Sequence, residues 1–513
     1  MENSKKMLKT AGFMAIATFL AKALGLARDM LIAAFFGTGI EADAYMTATR
    51  LPTTLFDIVI GGVISAAFIP VFNSVLEKKD KEKALEFANR FIGMVLLISG
   101  LIAILGIVFA DNLITFMAPD FDSVTHNLAK ELTMIMFPMI IFTGLAFSFV
   151  GILQSFGEFN IPAIMSLVSN LAVIVYFALF GKKFGVYGLS VTMLLAWGFQ
   201  VVIQIPSLIR FKYKFRPRLN FRDKNIQSAM KLALPMLIST WVQPLYTIVN
   251  TRLASGIYKG VSSLEYANRL YLVITGVFSF VITNLMFPKM SRANVSGKGD
   301  EAKEMLVMSL KLVTFVILPV MAVFTVLSKP IIAILYQHGD FILEDTLRTG
   351  IALSCYSLGM IGMAYNEILS KTFFSMQNSK TPMINALISM VANIVVAYLL
   401  AGRLGISGLA IATACGSTVN AVLNFVCIKK HYKTVFETKD RKDISKILVS
   451  SVIMALGMYL ISSVLSSRIE LGFSGGIIIG GIAGIFGAIC YIGFCLIFKV
   501  NILLDFIKGV KNK

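Results

Sequence analysis

Long apolar runs, separated by short charged or Gly/Pro-containing breaks, follow one another along the whole chain. A membrane-spanning helix needs about 20 mainly apolar residues. The pattern therefore predicts an all-α polytopic membrane protein with 14 transmembrane helices. The predicted spans are residues 9–36, 44–75, 88–110, 130–154, 161–180, 187–210, 229–254, 262–288, 305–328, 346–371, 383–401, 406–428, 446–465 and 474–498.

The composition supports a membrane protein and leaves little room for catalysis. Of 513 residues, 57% are hydrophobic and 15% are charged, whereas soluble domains carry about 25% charged residues. The five Cys lie in apolar runs without ligand spacing, and there are only 3 His. Because the chain has no P-loop motif, transport would use an ion gradient, the membrane potential or a substrate gradient.

Basic loops alternate with short or acidic loops and set the orientation. Residues 77–83, 211–224, 289–303 and 429–446 are rich in Lys and Arg, whereas 37–43 and 118–127 are acidic or short. The excess of Lys and Arg marks the cytoplasmic side. This rule predicts cytoplasmic termini, which require an even number of spans. It also assigns the net charge of +19 to loops that face anionic lipid rather than nucleic acid.

The two halves of the chain match each other at an offset of about 220 residues. "FGVYGLSVTMLL" (184–195) aligns with "LGISGLAIATAC" (404–415), and Pro162 aligns with Pro382. Because the offset covers six helices, we expect two six-helix lobes in a parallel pseudo-repeat, plus two C-terminal helices, with substrate bound between the lobes. The predicted domains are 1–224 (N-lobe), 225–440 (C-lobe) and 441–513 (helices 13 and 14 with the tail).

Charged residues occur inside the first predicted helix. Arg28 is eight residues before Phe36, roughly 12 Å along the helix axis. A central Arg costs from about 2.5 to well over 10 kcal/mol, so such residues usually face a watery cavity or a partner. Lys22 and Asp29 accompany it. The alternative interpretation is that Arg28 and Asp29 only neutralise charges on neighbouring helices.

The second, seventh and eighth predicted helices carry further polar and charged residues. Asp43 opens the second helix and Arg50 lies two turns further in. Asn250 lies near the outer end of the seventh, and Glu265 and Arg269 lie in the eighth. This concentration predicts a cationic cavity suited to an anionic substrate, because Arg can bind a phosphate bidentately.

Several stretches together resemble a known family. They are "LGLARD" (24–29), "DAYMTATRLP" (43–52), "AFIPVF" (67–72), "YANRL" (266–270) and "LYQHGDF" (335–341). They are similar to the MurJ (MviN) family of lipid II flippases, within the multidrug/oligosaccharidyl-lipid/polysaccharide exporter superfamily. The resemblance runs from residue 7 to about 500.

The resemblance implies a flippase rather than an enzyme, in the bacterial plasma membrane. Its substrate would be lipid II, an undecaprenyl-pyrophosphate-linked disaccharide-pentapeptide, moved from the cytoplasmic to the outer leaflet by alternating access. The family pattern departs at Phe56, where many members have a basic residue. The substrate-binding candidates are Arg28, Arg269, Lys22, Arg50 and Asp43.

The resemblance also bears on coupling and partners. No cofactor is expected, and Na⁺ or the membrane potential is the candidate coupling force. Asn250, Asn393 and Thr413 are polar enough to contribute to a sodium site, although no carboxylate accompanies them. Membrane lipid and the cell-wall synthesis machinery are the further candidate partners.

Four alternatives stay open at this stage. A drug exporter is disfavoured, because such exporters usually have 12 spans and cation-binding acids. A flippase for another undecaprenyl-pyrophosphate-linked saccharide and a sporulation-linked paralogue are harder to separate. A membrane-embedded transferase would use paired acids or His at one face, as in the loop clusters Asp120–Asp122–His126 and His338–Asp340.

Overall fold

A computed structural model describes residues 2–78, 80–220, 222–223, 225–230, 241–432 and 434–505, and these residues form helices and connecting loops without a β-strand. The chain divides into two compact units, Met1–Val261 and Ser262–Lys513. The predicted division into lobes at residues 224/225 and 440/441 follows the internal repeat rather than compactness, and it stays a prediction.

The first unit contains eleven labelled helices within its described residues. They are α1 (Glu2–Phe36), α2 (Ile40–Phe56), α3 (Ile69–Glu77), α4 (Lys81–Val108), α5 (Ala110–Met117), α6 (Ser123–Met136), α7 (Met139–Ser155), α8 (Asn160–Leu179), α9 (Gly181–Val202), α10 (Ile205–Arg210) and α11 (Val242–Ser255). Its core is rich in aromatic rings. Phe68, from the "AFIPVF" stretch, packs against Phe72, Phe87 and Phe91.

The second unit continues the helical chain. Its helices are α12 (Gly260–Val295), α13 (Gly299–Val326), α14 (Ser328–Tyr336), α15 (Leu343–Ser357), α16 (Met360–Ser375), α17 (Lys380–Leu404), α18 (Ile406–Ile428), α19 (Thr438–Ser466) and α20 (Phe473–Ile497). The last two pack against each other, and α19 also packs against α13.

The described helices confirm the all-α membrane fold. Every predicted span is mainly helical over its described residues, although turns interrupt some of them, as at 137–138, 203–204 and 358–359. Residues 231–240 of the seventh span lie outside the described residues. Eight described helices are long and apolar enough to cross a membrane. The pair α6 and α7, bent by 42°, would make a ninth. The number of 14 spans therefore stays a prediction.

The second predicted span is not one regular α-helix. The α-geometry continues past Pro52 as far as Phe56, and π-helical turns follow at Asp57–Gly61 and Ile64–Phe68. A π-turn pairs residue i with residue i+5 and occurs mostly as a short insertion within an α-helix. The Trp241 indole Nε1 donates to the Ile58 carbonyl over 2.9 Å. Hydropathy detects the apolar run but not this change of helical pitch.

The same order of helices occurs once in each unit. Helices α4 to α9 and α13 to α18 correspond one to one, and equivalent pairs pack together, such as α7 with α9 and α16 with α18. The equivalent glycines even share a backbone conformation, since φ is 52° at Gly185 and 56° at Gly405. Only glycine adopts this region readily, which explains why the sequence match is clearest there.

A buried ion cluster joins the C-terminal helices to α13. Lys311 Nζ donates to Asp440 Oδ1 over 3.0 Å and to Asp443 Oδ2 over 2.9 Å. Asn501 Nδ2 donates to both oxygens of Asp443. The side chain of Lys311 is 11% exposed and that of Asp443 is 1% exposed. Since these groups satisfy one another away from solvent, they fix the register of α19 on α13.

We expect Lys311→Met to lower the thermal unfolding midpoint of the purified chain in detergent. The change leaves two buried carboxylates without their cation, and breaking a buried pair typically costs about 3–5 kcal/mol. Lys298→Met is the matched control, because Lys298 and Glu301 form an exposed pair. Equal midpoints for the two variants would contradict the assigned role of the cluster.

Candidate functional site

Arg28 is held in α1 by two side chains of the first unit. Its Nε and Nη2 donate to Asp29 Oδ1 over 3.1 and 2.9 Å, and its Nη1 donates to Asn170 Oδ1 over 3.1 Å. The Arg28 side chain is 19% exposed and that of Asp29 is 6% exposed. A guanidinium has five N–H donors, so these bonds leave two of them for a ligand.

Asn170 positions this arginine from the neighbouring helix. It lies in α8, which packs along α1. While its Oδ1 accepts from Arg28, its Nδ2 donates to the Ala21 carbonyl over 3.0 Å. Asn170 was not among the residues predicted from the sequence. The sequence feature that could have indicated it is the single Asn within the apolar run "SLVSNLAVIV" (166–175). Polar side chains in such runs commonly form hydrogen bonds to a neighbouring helix.

Arg50 joins α2 to α11 within the first unit. Its Nη1 donates to Thr251 Oγ1 over 2.7 Å, and Thr251 is 1% exposed. Next to Pro52, which cannot donate a main-chain hydrogen bond, Thr53 Oγ1 bonds to the Thr49 and Arg50 carbonyls. The segment around Pro52 is therefore stabilised by the bond from Arg50 to Thr251 and by the two bonds from Thr53.

Two further predicted residues lie in different settings. Asp43 is buried in the first turn of α2, where a negative charge is stabilised by the helix dipole. Lys22 is half-buried in α1, six residues before Arg28. At 3.6 residues per turn, six residues place two side chains on different faces of a helix. Lys22 therefore does not share the Arg28 face.

In the second unit, Arg269 pairs with Glu265 along α12. Arg269 Nε donates to Glu265 Oε1 over 3.0 Å, and the two side chains are 27% and 11% exposed. Tyr266, one residue after Glu265, is fully buried and packs against Tyr336 and Phe341. The "YANRL" and "LYQHGDF" stretches thus meet in one aromatic cluster, which holds α12 in place and leaves Arg269 half-buried.

The three candidate ion-binding residues divide between the units. Asn250 belongs to α11 in the first unit, and its Oδ1 is buried without a hydrogen-bond partner among the described residues. Asn393 in α17 is fully buried, and neither atom of its amide has a partner there. Thr413 lies in α18, which packs against α17, and its Oγ1 donates to the Leu409 carbonyl.

The loop clusters that an embedded transferase would use have structural roles instead. Asp122 caps α6 by accepting hydrogen bonds from the Val124 and Thr125 amides. Its bond from the Thr125 side chain, followed by that main-chain bond, lowers the pKa of the Asp122 carboxyl. The His338 ring packs on Phe473, and its Nε2 contacts the Ile334 carbonyl.

These features define a class: a multi-pass, all-helical membrane protein with a repeated helical unit and partly buried arginines, as in two-lobe transporters. Solved structures agree on the fold. An inward-facing multidrug resistance MATE family transporter of the MOP superfamily matches with a TM-score of 0.67 at 17% identity, covering 82% of this chain and 98% of that one.

The particular family follows from closer matches. The family profile described as "Lipid II flippase MurJ" matches residues 32–480, so the chain belongs to this family. The structure titled "Lipid II flippase MurJ, inward closed conformation" matches with a TM-score of 0.80 at 28% identity, covering 94% of this chain and 98% of that one.

Curated relatives agree with this assignment. A "Probable lipid II flippase MurJ" of Buchnera aphidicola subsp. Schizaphis graminum is 28% identical over 87% of this chain and 88% of its own length. The protein of the same description from Rhizobium meliloti is 29% identical over 86% and 84%. The names of these relatives confirm the prediction of a transporter rather than an enzyme.

We expect Asn170→Leu to destabilise the chain by about 1–3 kcal/mol, because it removes two hydrogen bonds and leaves part of a buried guanidinium unpaired. Thermal unfolding in detergent measures the effect. Ser169→Ala is the control, since the partly exposed Ser169 bonds to the Ser166 carbonyl within its own helix.

A double-mutant cycle separates the contact with Arg28 from general packing. In an Arg28→Met background, Asn170→Leu should cost less, because the charged partner is gone. An unchanged cost would show that Asn170 acts through the Ala21 carbonyl alone, and it would contradict the positioning role.

Proposed function

We propose that this chain flips lipid II from the cytoplasmic to the outer leaflet of a bacterial plasma membrane. The observation that carries the proposal is the match over nearly the full length of both chains to a solved lipid II flippase. The family profile and the names of the curated relatives support the same substrate. We further propose that both termini lie in the cytoplasm, as the distribution of basic loops predicts.

Arg28 and Arg269 are the proposed contacts for the pyrophosphate. Each is only partly buried, and each donates to a carboxylate, Asp29 for Arg28 and Glu265 for Arg269. The two remaining N–H donors of Arg28 offer a place for phosphate oxygens without breaking the bond to Asn170. Guanidinium groups suit this task because their planar donors match phosphate geometry.

The other candidates have supporting roles in the proposal. Arg50 would add positive charge and release its bond to Thr251 when substrate approaches. Lys22 would supply a point charge further along α1, and Asp43 would orient the start of α2.

The proposed mechanism is alternating access through a cationic central cavity. Binding of the pyrophosphate would neutralise the arginines and allow the inward-facing state to close and open outward. The sugar-peptide head would cross in the polar cavity while the prenyl tail stays in lipid. Return of the empty, positively charged cavity would be favoured by an inside-negative potential, which is worth about 2.3 kcal/mol per charge per 100 mV.

Arg28→Ala and Arg269→Ala should each abolish rescue of a bacterium depleted of its own lipid II flippase, whereas the unaltered chain should rescue growth. Loss of a phosphate-binding arginine removes donors that no neighbour replaces. Arg28→Lys should rescue weakly, because lysine keeps the charge but not the planar fork. Arg403→Ala, at an exposed position, is the control.

Membrane expression of every variant is measured in the same cells. Rescue by both alanine variants would rule out the assigned site while keeping the function. Failure of the well-expressed unaltered chain would favour the alternative substrate, another undecaprenyl-pyrophosphate-linked saccharide, or a sporulation-linked paralogue.

We also propose Na⁺ as the coupling ion, with the membrane potential as the alternative. The buried, unpartnered amide of Asn393 supports this, because its carbonyl oxygen can bind a hard cation. Thr413, on the adjoining helix, can accept a second contact because its hydroxyl already donates elsewhere. A carboxylate is missing from this pair, so we expect weak binding.

Flipping in proteoliposomes should therefore be faster with an imposed Na⁺ gradient than with an equal K⁺ gradient at the same potential. Asn393→Leu, which keeps the side-chain volume, should remove the difference without abolishing flipping. Equal rates in both gradients for the unaltered chain would contradict sodium coupling and leave the potential as the driving force.

A further inference from the structure

A basic segment of the first unit is fixed in an extended conformation. Residues 211–220, "FKYKFRPRLN", follow α10 and contain neither helix nor strand from 213 onward. We call this segment the basic strap. It runs against α4, where the helix changes from the charged stretch "KEKALEFANR" (81–90) to the apolar stretch "FIGMVLLISG" (91–100). The strap therefore lies at the level where α4 enters the apolar part of the membrane.

One asparagine of α4 holds the middle of the strap. Asn89 Nδ2 donates to the Lys214 carbonyl over 3.0 Å. Its Oδ1 accepts from the Tyr213 hydroxyl over 2.7 Å and from the Arg216 amide over 2.9 Å. The Arg218 amide adds a bond to the Asn89 carbonyl. Burial raises the pKa of Tyr213, which keeps its hydroxyl a donor.

The strap also approaches the α4 backbone too closely for a side chain to intervene. A Cβ at Gly93 would lie 2.4 Å from the Arg218 carbonyl oxygen. Beyond the strap, Arg90 forms an ion pair with Asp223. Tyr213 and Phe215 both contact the Phe149 ring edge-on, at 6.1 and 6.0 Å between centroids. The backbone path is thus fixed at several independent points.

The fixed backbone leaves the positively charged side chains of the strap exposed to solvent. Lys212, Lys214, Arg216 and Arg218 alternate along the strap and are all exposed. None of the four forms an ion pair with a carboxylate in the described part of the chain. Phe215 is 50% exposed and Leu219 is 54% exposed. An ordered row of cations beside exposed apolar side chains matches the polar and apolar layers of a membrane surface.

We propose that the basic strap is a binding site for the phosphate groups of anionic phospholipids, such as phosphatidylglycerol, at the surface of the membrane. Residues facing the headgroups are the four cations, and Phe215 and Leu219 enter the acyl boundary. Lipid fits better than a free anion because the cations form an open row rather than a closed pocket. This site lies outside the proposed transport site and does not depend on which lipid is flipped.

Native mass spectrometry of the full chain in detergent tests the proposal, with phosphatidylglycerol and phosphatidylcholine supplied in equal amounts. Replacing Lys212, Lys214, Arg216 and Arg218 with Gln should lower the retained phosphatidylglycerol at least about fivefold and leave phosphatidylcholine unchanged. Asn89→Ala keeps every charge but releases the strap, and it should also lower phosphatidylglycerol retention, by a smaller factor.

The matched control removes four exposed cations from another basic stretch, at the end of α18 and the start of α19, by changing Lys429, Lys430, Arg441 and Lys442 to Gln. Equal losses in this control and in the strap variant would overturn the proposal, because net charge alone would then account for binding. Displacement of phosphatidylglycerol by an equal concentration of inorganic phosphate would also overturn it, in favour of a free-anion site. If Asn89→Ala fails to fold, the fourfold Gln variant of the strap still tests the proposal, because it alters only exposed side chains.

Discussion

A cation inside an apolar helix has to find its partner within the protein, because hydrocarbon neither hydrates nor screens it. The structure meets this constraint separately at Arg28, Arg269 and Lys311. In each case a carboxylate lies within hydrogen-bond distance, at 2.9 to 3.0 Å. Asp29 and Glu265 lie on the same helix as their arginine, so these two pairs balance charge within α1 and α12. Lys311 instead reaches an acid of α19, so this pair ties α13 to α19.

The degree of neutralisation separates a structural cation from one that can bind a ligand. Lys311 contacts two carboxylates, and one of them is further bonded to Asn501, so the cluster already carries excess negative charge. An added anion would be repelled there. Arg28 has one carboxylate and one amide and retains two donors. Both cations are costly to bury, but only Arg28 keeps unused N–H donors without an excess of negative charge around it.

The sequence was sufficient for the parts of the fold that depend on local composition. Apolar runs predicted the helices, and Arg28 and Arg269 stood out because they interrupt such runs. Asn170 was missed because its partner is 142 residues away and no local pattern connects them. From the sequence, Asp440 and Asp443 belong to a basic stretch predicted to be a loop. Their burial was not predicted, because it depends on Lys311, which lies over 100 residues earlier in the chain. The π-turns at Asp57–Gly61 leave hydropathy unchanged and so give no signal.

The stretches that revealed the family do not all serve the same purpose. Tyr266, Tyr336 and Phe341 come from two of them and form one buried aromatic cluster. Phe68 and Phe72 come from another and pack in the core of the first unit. These residues identify the fold because they shape its interior, and they say nothing about the transported molecule. The proposal of lipid II as substrate therefore rests on the match to a solved flippase, and Arg28 and Arg269 are the residues proposed to contact it.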